Sequence, residues 1–370
     1  MLIYIAIAVF FFSILPHIIY FIGIFSTKPS KPLDLPRDPP PISLILSAYN
    51  EEEILPRRVR NLAESTYPRE RVEVIVVDDF SSDGTARVAR ESLERAGFRY
   101  QVIRNPERLG TNRSYNRAIP MAAHPIIVTT DADVFFEPDS LNRVVARLLA
   151  DDATVAVCGD LRPVQEKTST MAYESIYRNF FGRMCDWESR VDSTYTFNGA
   201  LVAFRRDRIH RIEDRRGSDD ANTAFEAIRR GYRAVYEIHA IVYEYIPVDF
   251  STQYRQKIRR AKRLIEATLA NLDLLRERRP FSRFFYPLRI YMYVVSPALF
   301  FTGLFLFGAG IFLISPALLL LLAAAVVLSL PAWRRNLFIA LALNQFYLLA
   351  GLLYLPVETR IWESTTKRVT

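Results

Sequence analysis

Three β-branched runs in this 370-residue chain end in carboxylates. Residues 42–46 (ISLIL) lead into Ser47-Ala48-Tyr49-Asn50-Glu51-Glu52. Residues 72–77 (VEVIVV) lead into Asp78-Asp79-Phe80-Ser81-Ser82-Asp83-Gly84-Thr85, and residues 126–130 (IIVTT) into Asp131-Ala132-Asp133. One acidic strand end is ordinary, because Asp caps helices and Asp-Gly makes turns. Three on one sheet edge, one of them a D-x-D, point to an oxygen-rich site where open α/β sheets bind ligands. In an extended segment the D-x-D carboxylates face the same way and repel each other. They become favourable when a divalent cation sits between them and a phosphate. Mg²⁺ or Mn²⁺ prefers oxygen ligands and completes its shell with substrate phosphates and water, so a nucleotide diphosphate fits.

Other chemistries have little to work with. Four scattered histidines cannot build a zinc site or a histidine relay. Cys158 and Cys185 stand alone without a C-x-x-C, which suits a reducing compartment. The chemistry therefore falls to carboxylates.

The elements that must position these residues alternate. With 154–158 (TVAVC), the apolar runs read as buried strands, and residues 51–66, 84–96 and 139–150 as the helices between them. That order predicts an α/β domain with a mostly parallel, doubly wound sheet. Residues 2–25 hold no Asp, Glu, Lys or Arg, and residues 290–357 have only Arg334 and Arg335 as basic interruptions. About 20 apolar residues cross a bilayer core, so both ends predict transmembrane helices. The first segment is long for a signal peptide and lacks its basic start, which favours a retained anchor over a cleaved leader.

The expected organisation is a membrane helix at 1–26, a Pro-rich linker at 27–41 and a catalytic domain at 42–250. Amphipathic interfacial helices follow at 251–289, then three membrane helices at 290–357 and a polar tail at 358–370. Within 251–279, Ile258, Ala261, Ile265, Thr268, Leu272 and Leu275 recur at helical steps opposite a basic face. A helix packed on its own domain would show the same pattern. Residues 290–332 are too long for one span and predict a hairpin, turning near Gly308–Gly310 or Ser315–Pro316. The net charge of +8 is concentrated at 251–289, where eleven Lys/Arg face three Asp/Glu. By the positive-inside rule this sets the middle domain in the cytoplasm of an integral cell-membrane protein. Its juxtamembrane position favours membrane lipids over nucleic acid as the partner of the basic run.

The motifs S-A-Y-N-E-E, D-D-F-S-S-D-G-T, D-A-D, F-N-G-A-L-V-A-F-R-R, S-D-D, R-R-G-Y-R, E-Y-I-P and Q-K-I-R-R follow one another from Ile42 to Arg260. In that order they resemble membrane-bound inverting family-two glycosyltransferases of GT-A fold, in the cellulose-synthase-like and hyaluronan-synthase-like branch. The resemblance implies that Tyr49, Glu51, Asp78 and Asp79 hold the nucleoside, Asp131 lies near ribose and sugar, and Asp133 ligates the metal. It sets Asn198 and Gly199 where acceptor and donor sugar meet. It makes Asp220 the general base beside Asp219, and Gln256, Arg259 and Arg260 the Q-x-x-R-W motif that steadies the diphosphate. Direct displacement at an anomeric carbon needs such a base and a cation for the departing diphosphate. Acids at 219–220 also suit a helix N-terminus, and both roles are compatible.

Three departures stand out. Thr111 follows Gly110 where the family has Lys, leaving Arg108 or Arg113 for phosphate. Asp219 replaces a Glu, and Arg260 replaces the Trp that supports the acceptor sugar in polymer-forming members. With four expected spans, the reading is an enzyme that moves one sugar from a GDP- or UDP-linked donor to a lipid-linked acceptor. A processive polysaccharide synthase, a polyprenyl-phosphate sugar synthase and a catalytically dead nucleotide-binding scaffold are the alternatives.

Overall fold

Apolar β-branched runs build the centre of an eight-stranded mixed sheet in the computed structural model. The structure describes residues 1–164, 169–214, 217–245, 250–329 and 337–356. The chain divides into two units, one of Pro29–Val164 and Cys185–Gln253, the other of Met1–Lys28, Gln165–Met184 and Tyr254–Glu358.

In the first of these, the strands are β1 (Ile42–Ala48), β2 (Val72–Asp78), β3 (Arg99–Arg104), β4 (Ile126–Asp131), β5 (Val134–Phe136), β6 (Thr154–Pro163), β7 (Val202–Arg205) and β8 (Arg233–Glu244). Their order is β3-β2-β1-β4-β7-β6-β8-β5. The β1, β2, β3 and β4 pairings are parallel, as is β6 with β8. β7 runs antiparallel between β4 and β6, and β5 antiparallel to β8. The sheet is mostly parallel, as expected, and its antiparallel members are the short strands β5 and β7, of three and four residues.

Helices α2 (Leu55–Ala63), α3 (Thr85–Ala96), α4 (Thr111–Ala118) and α5 (Ser140–Leu149) connect the early strands. Leu55, Val59 and Leu62 of α2 and Val144, Val145 and Leu148 of α5 are buried in the same core as Leu44, Leu46, Val74 and Val128. Burying each such side chain is worth about 1.5–3 kcal/mol, which makes the sheet a rigid base for its loops. The helix expected at 51–66 begins only at Leu55. Glu51 donates its backbone N–H to Thr85 Oγ1 (2.8 Å), and the Glu52 carboxylate accepts from the Gly84 N–H (2.7 Å), holding 51–54 as a turn. Further along lie α6 (Ser169–Val191) and α7 (Asp219–Arg229).

The other unit is helical and apolar. α1 (Leu2–Phe25) and α9 (Phe281–Ile314), of 24 and 34 residues, are long and apolar enough to cross a membrane by length and composition. α9 ends at Ser315, whose extended backbone (φ −162°, ψ 113°) is what a residue before proline favours. α10 (Pro316–Ser329) and α11 (Leu337–Leu353) follow. Close approach explains two glycines of α9: a Cβ on Gly303 would lie 3.2 Å from the Phe10 backbone, and one on Gly310 2.7 Å from Ile3. Residues 333–335 and the tail at 358–370, both read from sequence above, lie outside the described residues.

α8 (Phe250–Ala270) carries the expected apolar stripe, with Ile258, Ala261, Ile265 and Thr268 buried. The stripe is covered by protein: the Gly351 backbone of α11 packs on Ala261 and Lys262, and Tyr286 Oη donates to the Thr268 carbonyl (2.6 Å). Beyond Ala270 the helical phase is lost, because a 3₁₀ turn at Leu272–Arg276 buries Leu274 and leaves Leu272 exposed.

Candidate active site

Strand register brings the acidic ends together. Ala48 pairs with Asp78 and Ser47 with Asp131, so the carboxyl ends of β1, β2 and β4 form one edge. At the β2 end the carboxylates hold the chain's own backbone. Asp78 accepts from the Ser81 N–H (2.9 Å), with Arg104 Nε at 3.5 Å. Asp79, 3 % exposed, accepts from the N–H groups of Leu109 (2.8 Å) and Gly110 (2.9 Å) and from Asn105 Nδ2 (2.8 Å). These bonds fix the loop that leads into α4. Phe80, 48 % exposed, takes a left-handed conformation (φ 64°), and so does Asn50 (φ 53°). For a bulky residue such as Phe this costs on the order of 1–2 kcal/mol, and strain of this kind gathers at ligand sites.

Tyr49 stands beside this loop with the Arg108 guanidinium 3.3 Å from its ring centroid. Arg108 is thus at the edge, its Nε buried without a hydrogen-bond partner and 3.9 Å from the Asp79 carboxylate. Arg113, the other candidate for phosphate, is exposed on α4.

At the β4 end, Asp131 is half-buried and Asp133 is 9 % exposed. Beneath them lies a residue sequence reasoning passed over. Arg58 of α2 is completely buried, donates to Asn61 Oδ1 (2.9 Å) and Thr130 Oγ1 (3.1 Å), and stacks 4.0 Å from the Phe136 ring centroid. Burial pushes its guanidinium down to about 9, while Asp133 and Asp131 pull it the other way. It remains a cation at neutral pH.

The third part of the site enters from β7. Val202 pairs with Thr129, which sets the Asn198–Leu201 turn next to the β4 end. Gly199 has φ 74°, a conformation an L side chain rarely adopts, and a Cβ there would lie 3.5 Å from Asp220 Oδ2. The Asp220 carboxylate thus sits against this turn at the start of α7, half-buried, with Oδ1 accepting from the Ala221 N–H (2.8 Å). α7 is anchored by Phe225, stacked 4.5 Å from Tyr195. Asp219 opens the helix, but its side chain lies outside the described residues. The Asn198 amide bonds the Gly159 carbonyl (2.7 Å) and the Ala200 N–H (3.2 Å), shaping the turn from within.

Below the turn is a buried polar cluster missed in the sequence. Tyr236 Oη donates to Asp160 Oδ1 (2.9 Å), Arg162 pairs with Asp160 (2.7 Å), and the Asn198 N–H points at Cys158 Sγ (3.4 Å). Burial pushes the Cys158 thiol well up, so it is a packing residue rather than a nucleophile. The spacing of G-D-L-R at 159–162 was the available signal. Gln256, Arg259 and Arg260 lie on α8 in the helical unit, Gln256 and Arg259 one turn apart and half-buried, Arg260 exposed.

Among the described residues no group of three or more His, Cys, Asp or Glu gathers as a metal cage. Asp131 and Asp133 are instead a partial oxygen donor set over a fixed, buried cation. Two carboxylates fit a Mg²⁺ or Mn²⁺ that takes its other ligands from phosphate and water.

A mixed α/β sheet with carboxylates along one edge is the GT-A-like arrangement, and residues 43–209 match the family described as Glycosyl transferase family 2. The chain carries a glycosyltransferase domain of the kind that uses a nucleotide-sugar donor. It is 26 % identical to a mannosyltransferase from Pyrobaculum calidifontis, solved in complex with GDP-Man and Mn²⁺, over 97 % of this chain and 100 % of that one, with a TM-score of 0.80. It is 25 % identical to a probable glycosyltransferase of Bacillus subtilis over 72 % of this chain and 67 % of the relative. It is also 24 % identical to a poly-β-1,6-N-acetyl-D-glucosamine synthase of Staphylococcus aureus over 60 % of this chain. That match spans 54 %, about half, of the synthase's length.

Proposed function

We propose that the chain is a metal-dependent inverting enzyme that moves one sugar from a nucleotide-diphosphate donor to a lipid-linked acceptor at a membrane surface. The observation that carries the reading is the convergence of the Asp131–Asp133 turn with the Gly199 turn over Asp220. Asp220 takes the proton of the acceptor hydroxyl as its oxygen attacks the anomeric carbon from the face opposite the diphosphate. A cation bound at Asp133, with Asp131 beside it, would supply charge neutralisation for the leaving diphosphate. Arg108 is the basic group of the edge suited to a phosphate oxygen, and the ring it covers on Tyr49 is suited to a nucleobase.

GDP-mannose is the first donor to test, because the similar mannosyltransferase was solved with GDP-Man and Mn²⁺. The lipid-linked acceptor is supported by the outer surface of the helical unit, where Phe305, Leu313 and Leu320 are 73, 76 and 71 % exposed. An apolar surface of that kind marks a membrane or another apolar partner. Two apolar helices of spanning length and the basic 251–289 segment support an integral membrane protein with a cytoplasmic catalytic unit.

A second reading, a processive polysaccharide synthase, draws on the similarity to the poly-N-acetylglucosamine synthases. Arg260 in the Trp position of Q-x-x-R-W favours single transfer. The test is incubation of the membrane-reconstituted protein with GDP- and UDP-sugars, with Mn²⁺, Mg²⁺ or chelator, in lipid extract. One metal-dependent donor and a product one sugar larger than its lipid are expected. A polymer ladder overturns single transfer, and hydrolysis or transfer undiminished by chelator overturns metal dependence.

A further inference from the structure

Arg58 occupies a position where α2 should present an aliphatic side chain. Leu55, Val59 and Leu62 define the buried face of that helix, and Arg58 lies on it, while Arg57 and Arg60 are exposed. A guanidinium buried without hydrogen bonds is strongly unfavourable, so its partners matter. They sit at the two ends of one short segment. Thr130, immediately before Asp131, accepts from Nη2, and Phe136, three residues after Asp133, lies under the guanidinium face. Nη1 bonds Asn61, whose Oδ1 accepts from the Phe136 N–H (2.8 Å) and whose Nδ2 donates to the Phe136 carbonyl (2.9 Å). One turn of α2 therefore clasps residues 130–136 at both ends.

The clasp continues across the sheet. Thr130 Oγ1 donates to the Ala200 carbonyl (2.7 Å), and the Thr130 carbonyl accepts from Tyr115 Oη (3.1 Å). Ala200 follows Gly199, the residue against Asp220. Arg58, Thr130 and Ala200 thus form a buried line from the Asp131–Asp133 turn to the Asp220 turn.

We propose that Arg58 is a positioning residue that holds the Asp131-Ala132-Asp133 turn in register with the Asn198–Ala200 turn, readying both carboxylates for a nucleotide–cation complex. This rests on the metal-dependent reading above. The buried charge does what an aliphatic residue could not: one donor holds Thr130 directly, the other reaches Phe136 through Asn61, and its field opposes the mutual repulsion of the two carboxylates before a cation is present.

The experiment measures binding of GDP and of UDP by calorimetry, at a series of Mn²⁺ concentrations and in chelator, for the parent, Arg58→Gln, Arg58→Lys and Thr130→Val. Supporting residues around a metal site are worth about 10–100-fold in metal affinity, so Arg58→Gln should raise the Mn²⁺ needed for half-saturation at least about tenfold. Its residual binding in chelator should stay at the parent value, and Arg58→Lys should fall between. Loss of packing alone would lower the melting temperature without moving the Mn²⁺ requirement selectively. Should Arg58→Gln fail to fold, Thr130→Val removes the Nη2 acceptor at nearly constant volume and should shift the same Mn²⁺ requirement. A parental Mn²⁺ requirement in every variant that folds overturns the proposal. Metal-independent nucleotide binding in the parent overturns the functional reading itself, which the parent alone reveals.

Discussion

The ends of β2 and β4 carry the same kind of residue and do opposite work. Asp78 and Asp79 are consumed by the chain: their oxygens accept from Ser81, Asn105, Leu109 and Gly110, and they shape the loops around Tyr49. Asp131 and Asp133 instead stand over the Arg58 guanidinium, which bonds Thr130 next to them. Under the proposed function, acidic groups at this edge sort into builders, whose bonds shape the loops, and ready groups, which take the cation and nucleotide. Removing a builder should cost stability, and removing a ready group should cost binding.

The largest expected effect separates the two directly. Asp133→Ala should weaken Mn²⁺-dependent nucleotide binding by at least about 100-fold, the upper end of what supporting residues alone are worth. Its melting temperature should stay near that of the parent. Isothermal titration with and without chelator reads the first, and calorimetric melting the second. A stable protein with parental metal-dependent binding would assign Asp133 to the builders.

A smaller effect runs the other way. Asp79→Ala removes the acceptor of the half-buried Leu109 and Gly110 N–H groups, a loss of at most about 1–3 kcal/mol each because solvent can reach them in part. Melting temperature should fall and hydrogen exchange at Leu109 and Gly110 should rise, and any loss of nucleotide affinity should accompany the loosened loop. Unchanged exchange at those amides, with binding lost, would make Asp79 a ligand contact rather than a builder.

This division was not legible in the sequence, although the edge itself was. Four apolar runs marked β1, β2, β4 and β6 because central strands are buried on both faces. β3 is half-exposed (RYQVIR) and β5 has three residues, so neither gives a hydrophobic signal above background. β7 lay inside F-N-G-A-L-V-A-F-R-R, noticed for its motif rather than its strand. The acidic strand ends could be located, but the bonds of Asp78 and Asp79 to Ser81, Leu109 and Gly110 could not, because those partners come from loops that carry no periodic pattern. Arg58 sat in an L-P-R-R-V-R run that resembles a solvated face, and only its phase with Leu55, Val59 and Leu62 hinted that it points inward. The stripe of α8 was correct as far as Thr268, and failed where Asn271 ends the helical repeat before Leu272.

The sharpest test falls on Asp220, because the proposed chemistry converges on its carboxylate against Gly199. Asp220→Asn keeps the size of the side chain and its bond to the Ala221 N–H while removing basicity. General-base assistance contributes about 10²–10⁴-fold in rate, so sugar transfer to a hydroxyl acceptor should fall by at least about 100-fold. Binding of the nucleotide with Mn²⁺ should match the parent. Near-parental transfer by a folded, nucleotide-binding Asp220→Asn protein would contradict the assignment and move the base elsewhere on the edge.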